Sequence, residues 1–117
     1  MKHSVVMLSV GLAVMALSGS AWAAGADDLD PAKIAAAKTP ADHEAVAKAY
    51  EAEANSLDKK AASHKDLAQM YTSNPSKPWQ AGQAKHCDSV ASSLKAAAAE
   101  DRALAAEHHK LAKEAQK

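Results

Sequence analysis

Alanine marks one edge of two long segments of this chain, at every seventh position, while charged and polar residues occupy most positions between. A period of seven is the spacing at which a helix keeps one face toward a partner helix. Because alanine methyl groups allow two helix backbones to approach closely, we expect the segments to pack along these residues. We call the set the alanine seam: Ala47, Ala54, Ala61 and Ala68 on the first segment, and Ala84, Ala91, Ala98, Ala105 and Ala112 on the second.

Two prolines, Pro75 and Pro78, lie between the two halves of the seam. A proline inside a helix removes a backbone hydrogen bond and clashes with the preceding turn, so no single helix can cross this stretch. The sequence therefore predicts an antiparallel hairpin with helices over about residues 40–72 and 78–115, joined by a loop at 73–77. No window alternates β-branched or aromatic residues with polar ones as a strand would, so the predicted fold class is all-α.

Capping residues predict where the helices begin. The pair Asp30-Pro31 is typical of a helix start, with proline at the first helical position, and predicts a short N-terminal helix of about two turns. Thr39 is the predicted N-cap of the first long helix, with Asp42 as the acid of its capping box. Ser76 is the predicted cap of the second long helix.

A second row of seam positions lies three residues after each alanine of the first segment. If the chain folds back at the centre of its loop, a single alignment of the two helices pairs the seam alanines with each other and the second-row residues with each other. This agreement favours the predicted register. We expect Tyr50 and Asp101 to form a hydrogen bond across the seam. The predicted facing pairs are His43 with His108, Tyr50 with Asp101, Leu57 with Leu94, and His64 with Cys87.

The seam by itself buries little apolar surface. A buried alanine methyl contributes about 0.8 kcal/mol, against about 1.5–3 kcal/mol for a buried leucine or valine. Either the short N-terminal helix folds back through Ile34, or two hairpins pair into a four-helix bundle, and we favour the homodimer. The larger aliphatic residues that a lone hairpin leaves beside the seam are Val46, Leu67, Val90, Leu104 and Leu111.

The beginning of the chain has the pattern of a cleaved signal peptide. A basic start precedes an apolar run over residues 5–17 that is too short for a membrane anchor, and Ala21-Trp22-Ala23 resembles a cleavage site. The sequence thus predicts a signal peptide at 1–23, an N-terminal segment with the short helix at 24–39, and the hairpin at 40–117. We expect export to the periplasm, or alternatively secretion, without membrane insertion after cleavage.

Charge and motifs argue against several classes of protein. Basic and acidic residues both number 14, so the net charge is zero with neutral histidine, and nucleic acid is not an expected partner. The chain lacks Cys-x-x-Cys-His, paired Glu-x-x-His, phosphate-binding glycine loops and nucleophile elbows. No catalytic residues are predicted, and charged residues such as Glu44, Glu51 and Arg102 are expected on solvated outer faces.

The histidines carry the main indication of specific chemistry. Imidazole and thiolate ligands suit copper, zinc or nickel ions, so a group of them is a candidate metal site. Noncovalent haem between paired histidines is a further alternative. The hairpin register predicts one group near the loop, His64, His86 and Cys87, and a second group at the open end, His43, His108 and His109.

Cys87 is the only cysteine, which leaves three interpretations: a buried small residue, an intermolecular disulfide or a metal-bound thiolate. The sequence as a whole predicts a small soluble periplasmic helical-bundle protein without enzymatic activity. We expect it to act as a structural or protein-interaction module, as a homodimer or with a protein partner. The alternative is a protein that binds or buffers Cu, Zn or Ni ions.

Overall fold

The computed structural model describes residues 29–73 and 76–117, and within these ranges the chain is helical without β-strands. Three helices follow one another: α1 over Pro31–Ala36, α2 over Pro40–Ser73 and α3 over Trp79–Ala115. The two long helices pack along each other in an antiparallel hairpin. The prediction of an all-α hairpin with a short N-terminal helix is confirmed. The predicted signal peptide, residues 1–23, lies outside the described residues.

Local hydrogen bonds explain where α1 and α2 begin. The Asp30 carboxylate accepts a hydrogen bond from the Ala32 N–H at 2.9 Å and caps α1. Thr39 and Asp42 form a capping box, in which the Thr39 hydroxyl accepts from the Asp42 N–H at 3.1 Å and the Asp42 carboxylate accepts from the Thr39 N–H at 2.9 Å. Backbone hydrogen bonds to this carboxylate lower the pKa of Asp42.

The start of α3 differs from the prediction. Ser76 does not cap the helix, because Pro78 occupies the N-cap position and makes no side-chain capping bond. The Gln80 side-chain oxygen instead accepts a hydrogen bond from the Lys77 N–H at 3.0 Å. This bond orders the last residues of the loop before the helix begins.

The alanine seam forms the contact between α2 and α3. All nine seam alanines are buried, with exposed fractions of 0–4%. The five seam alanines of α3 are the only buried residues of that helix, which is described throughout, and α2 adds Val46 and Ala49 near its N-terminal end. The residues of the second row are half-buried, so the seam runs the full length of the hairpin: His43, Tyr50, Leu57, His64 and Tyr71 on α2, and Cys87, Leu94, Asp101 and His108 on α3.

Candidate functional site

The two long sides of the hairpin differ in chemistry. Successive helix residues are about 100° apart, so the residue before a seam alanine lies on one side and the residue after a second-row position lies on the other. In an antiparallel pair, equivalent positions of both helices meet on the same side. We name the two sides the charged flank (Glu44, Glu51, Asp58, Lys65, Asp88, Lys95, Arg102, His109) and the aliphatic flank (Val46, Glu53, Lys60, Leu67, Gln83, Val90, Ala97, Leu104, Leu111).

Ion pairs between α2 and α3 run along the charged flank. Asp58 contacts Arg102 at 2.6 Å and Lys95 at 3.6 Å, and Lys65 contacts Asp88 at 2.7 Å. The hydrogen bond from Arg102, followed by the positive charges of Arg102 and Lys95, lowers the pKa of Asp58. Exposed ion pairs add little stability individually. Their order nevertheless specifies the register, because a slip of one helix by a turn would separate them.

His109 extends this flank to the open end of the hairpin. Its Nδ1 lies 3.0 Å from a Glu44 oxygen and its Nε2 lies 2.8 Å from a Glu51 oxygen. The bond to Glu51, then the bond to Glu44, raises the pKa of His109, since both ring N–H groups of the imidazolium can donate. Glu44, Glu51 and Arg102 lie on outer faces as predicted, with side chains 42–49% exposed, and in addition they contact side chains of the facing helix.

This arrangement predicts a pH-dependent contribution of His109 to stability. Because the glutamates favour the protonated ring, the stabilisation is complete below the ordinary histidine pKa of about 6.5 and disappears as the pH rises through the raised pKa of the folded protein. We expect His109→Gln to lower the free energy of unfolding near about pH 5.5 and to lower it less near about pH 8.5. Urea unfolding followed by circular dichroism across this range measures the difference, with exposed His86→Gln as the matched control. An equal loss of unfolding free energy at both pH values would contradict an interaction of protonated His109 with Glu44 and Glu51.

His43 and His108 meet at the open end of the hairpin. Their Nδ1 atoms lie 3.1 Å apart and their ring centroids 5.3 Å apart. The Tyr50 ring stacks on His108 with a centroid distance of 5.9 Å and an interplanar angle of 29°. Burial, and then the neighbouring charge of His43, lowers the pKa of His108. The predicted facing of His43 and His108 is confirmed.

The expected hydrogen bond between Tyr50 and Asp101 is absent from the described residues. The long Tyr50 side chain reaches His108, one heptad beyond Asp101, and covers its ring. Asp101 is half-buried, and this burial raises the pKa of its carboxyl group. The difference follows from side-chain length. The short Asp101 side chain stays close to its own position in the seam, whereas the longer Tyr50 side chain extends along the seam to the next heptad.

The residues of the group predicted near the loop differ in their exposure. His64 and Cys87 are half-buried second-row residues and His86 is exposed. The His64 Nδ1 is buried and has no hydrogen-bond partner. Cys87 is a free thiol. Metal binding by this group stays a prediction.

No group of three or more histidine, cysteine, aspartate or glutamate side chains in the described ranges is arranged to hold a metal ion. Of the open-end group, only His43 and His108 bring ring nitrogens together, whereas both nitrogens of His109 are engaged by glutamates on the charged flank. The structure therefore separates His109 from the other two histidines.

The described helices include none with the length and apolarity needed to span a membrane. No protein-family model, curated protein or solved structure matches this chain.

Proposed function

We propose that this protein is a non-catalytic helical hairpin of the periplasm that acts as a structural or protein-interaction module, and that its aliphatic flank pairs two copies into a four-helix bundle. The observation that carries the proposal is the alignment of exposed aliphatic side chains on one side of the hairpin. Leu67, Val90, Leu104 and Leu111 each remain 39–41% exposed. Aligned apolar residues of this kind are typical of an interaction surface.

The energetics of the hairpin support association. The buried residues of α2 and α3 are alanines apart from Val46, and each alanine methyl removed from water contributes only about 0.8 kcal/mol. Leu67, Val90, Leu104 and Leu111 are still 39–41% exposed, so covering the rest of each would add roughly 0.6–1.2 kcal/mol, about two fifths of the value for burying such a side chain completely. This exposed apolar surface is what the hairpin alone leaves in water and what a second helical layer would bury.

The charges of the aliphatic flank favour a second copy as the occupant. Along α2 this flank reads Val46, Glu53, Lys60 and Leu67 at intervals of seven. When two α2 helices lie antiparallel across a twofold axis, Glu53 of one copy meets Lys60 of the other. Val46 is already fully buried within one chain, contrary to the expectation that a lone hairpin leaves it uncovered, so it takes no part in this contact. Neither Glu53 nor Lys60 forms an ion pair within residues 29–73 and 76–117, so both are available for such a contact. The order of charges along α2 is therefore self-complementary in an antiparallel pair.

Sedimentation equilibrium tests the association. We expect the wild-type protein to sediment at micromolar concentration with twice the mass of one chain. The double variant Leu67→Lys/Leu104→Lys should weaken dimerisation at least about a hundredfold, because two lysines would be buried without partners at a dry contact. Ala103→Lys, on an exposed face of α3, is the matched control and should leave the dimer intact. A well-folded wild-type monomer at these concentrations would refute self-association.

A charge exchange tests the antiparallel arrangement of the two α2 helices. Glu53→Lys alone and Lys60→Glu alone each place like charges together and should weaken the dimer at least about tenfold. The double variant Glu53→Lys/Lys60→Glu restores opposite charges across the twofold axis and should recover the wild-type dissociation constant. Recovery in the double variant is the decisive result, since additive losses would mean that the two residues do not meet.

The periplasmic location is supported by the pattern of residues 1–23. Expression of the full chain in a bacterium should yield a processed protein whose first residue is Ala24, in the fraction released by osmotic shock. Mass spectrometry of that fraction measures the cleavage point. An unprocessed protein retained in the cytoplasm would contradict the location without affecting the proposed dimer.

A further inference from the structure

The histidine pair at the open end of the hairpin has the geometry of two metal ligands. One Nδ1 carries the shared proton and the other accepts it across 3.1 Å, with the roles set by the tautomers of His43 and His108. The pair joins α2 to α3, and both rings are only half-buried. An ion from solution could therefore reach the nitrogens without unfolding of the hairpin.

The distance between the two nitrogens matches the separation of adjacent donor atoms around a borderline transition-metal ion. With metal–nitrogen distances of about 2.0–2.1 Å, two ligands are about 2.9 Å apart at a right angle and about 3.3 Å apart at the tetrahedral angle. The observed 3.1 Å lies between these values. When an ion replaces the shared proton, the distance between the two nitrogens needs to change by only a few tenths of an ångström, and the two rings turn so that their Nδ1 lone pairs converge on the ion.

The surroundings of the pair also favour a cation. The carboxylate of Asp42 interacts electrostatically with His43, and that of Glu107 interacts with His108. The Tyr50 ring against His108 restricts rotation of the imidazole and holds the ligand in place.

We propose that His43 and His108 chelate one divalent ion through their Nδ1 atoms, with water completing its coordination, and that the ion ties α2 to α3 at the open end. The expected ions are those that imidazole ligands prefer, and copper should bind more tightly than nickel or zinc. His109 takes no part, because Glu44 and Glu51 engage both of its nitrogens. The site is independent of the proposed dimer.

The proton balance of the step is simple. In the neutral pair, one ring carries its proton on Nδ1 and the other carries its proton on Nε2. When the ion binds, the Nδ1 proton is lost to water and the Nε2 of the same ring takes up a proton, so both rings remain neutral with Nε2–H. Binding to the neutral pair therefore releases no net proton, and binding at acidic pH releases those that the rings hold.

Calorimetric titration of the purified protein with Zn(II) at about pH 7.5 tests the site. We expect a binding event with one ion per chain that weakens at least about tenfold in His43→Ala and in His108→Ala. His86→Ala and His109→Gln are the matched controls and should bind as the wild type does. Zn(II) should also raise the melting temperature of the wild type and not that of His43→Ala. Wild-type affinity in both His43→Ala and His108→Ala would overturn the proposal.

Nitrogen-15 spectra of the histidine rings keep the test decisive if a variant unfolds. On addition of Zn(II) to the wild-type protein, the Nδ1 resonances of His43 and His108 should move to metal-bound positions while their Nε2 atoms stay protonated. The resonances of His86 and His109 should not move. Shifts confined to any other histidine, or no shift at all, would show that the pair does not hold the ion.

Discussion

Replacing Ala98 by leucine is expected to lower the free energy of unfolding by about 3 kcal/mol, the upper part of the usual range for an overpacked core. Ala98 is fully buried in the middle part of the seam between the two helices. A leucine there must push α2 and α3 apart. Since a long helix curves only gently, the separation would extend to the alanine contacts on either side and loosen them as well. Urea unfolding followed by circular dichroism measures the change.

Ala99→Leu provides the matched control. Ala99 is the next residue of α3 and is exposed. Leucine and alanine have similar helix propensities, so this substitution should change the free energy of unfolding by less than about 0.5 kcal/mol. If Ala98→Leu were as mild as Ala99→Leu, the close approach of the two helices along the seam would be refuted.

Val46→Ala is expected to lower the free energy of unfolding by about 2 kcal/mol, through lost transfer free energy and the cavity left behind. Val46 is completely buried and is the largest fully buried side chain of the described chain, whose other buried residues are alanines. The loss should be seen as a lower urea midpoint with an unchanged slope.

Met70→Ala is the control for this truncation. Met70 is a larger side chain on the same helix and is 66% exposed. Its replacement should change the free energy of unfolding by less than about 0.5 kcal/mol. Equal losses for Val46→Ala and Met70→Ala would mean that side-chain size, and not burial, determines the effect.

Much of the fold follows from local patterns. The two prolines of the loop separate the long helices, and Thr39 with Asp42 specifies the start of α2 as the sequence predicts. The alanine period identifies the buried face of both helices. These features can be predicted from the sequence because each depends on residues that are close in the chain or on a regular helical repeat.

The charged flank could also have been found from the sequence. Its residues read Glu, Glu, Asp, Lys along α2 and Asp, Lys, Arg, His along α3. In antiparallel order these two series bring opposite charges together at each level. The pattern lies at the position after each second-row residue, and it emerges when these positions of the two helices are paired in antiparallel order. Glu44 accordingly pairs with His109 across the hairpin.

The candidate site depended on tertiary structure in ways that spacing does not reveal. Tyr50 stacks on His108 and leaves Asp101 without the expected bond, because the reach of a side chain along the seam differs between residue types. Which nitrogen of each histidine faces the neighbour is likewise a matter of ring orientation, and ring orientation depends on packing.

Local sequence patterns are enough to predict that this protein folds as two long helices, where the chain turns, and which alanines lie between the helices. Which side chains each histidine contacts depends on the folded hairpin. His108 and His109 are adjacent in the chain, but neighbouring residues of a helix point about 100° apart. His108 therefore lies in the seam against His43, while His109 lies on the charged flank between Glu44 and Glu51.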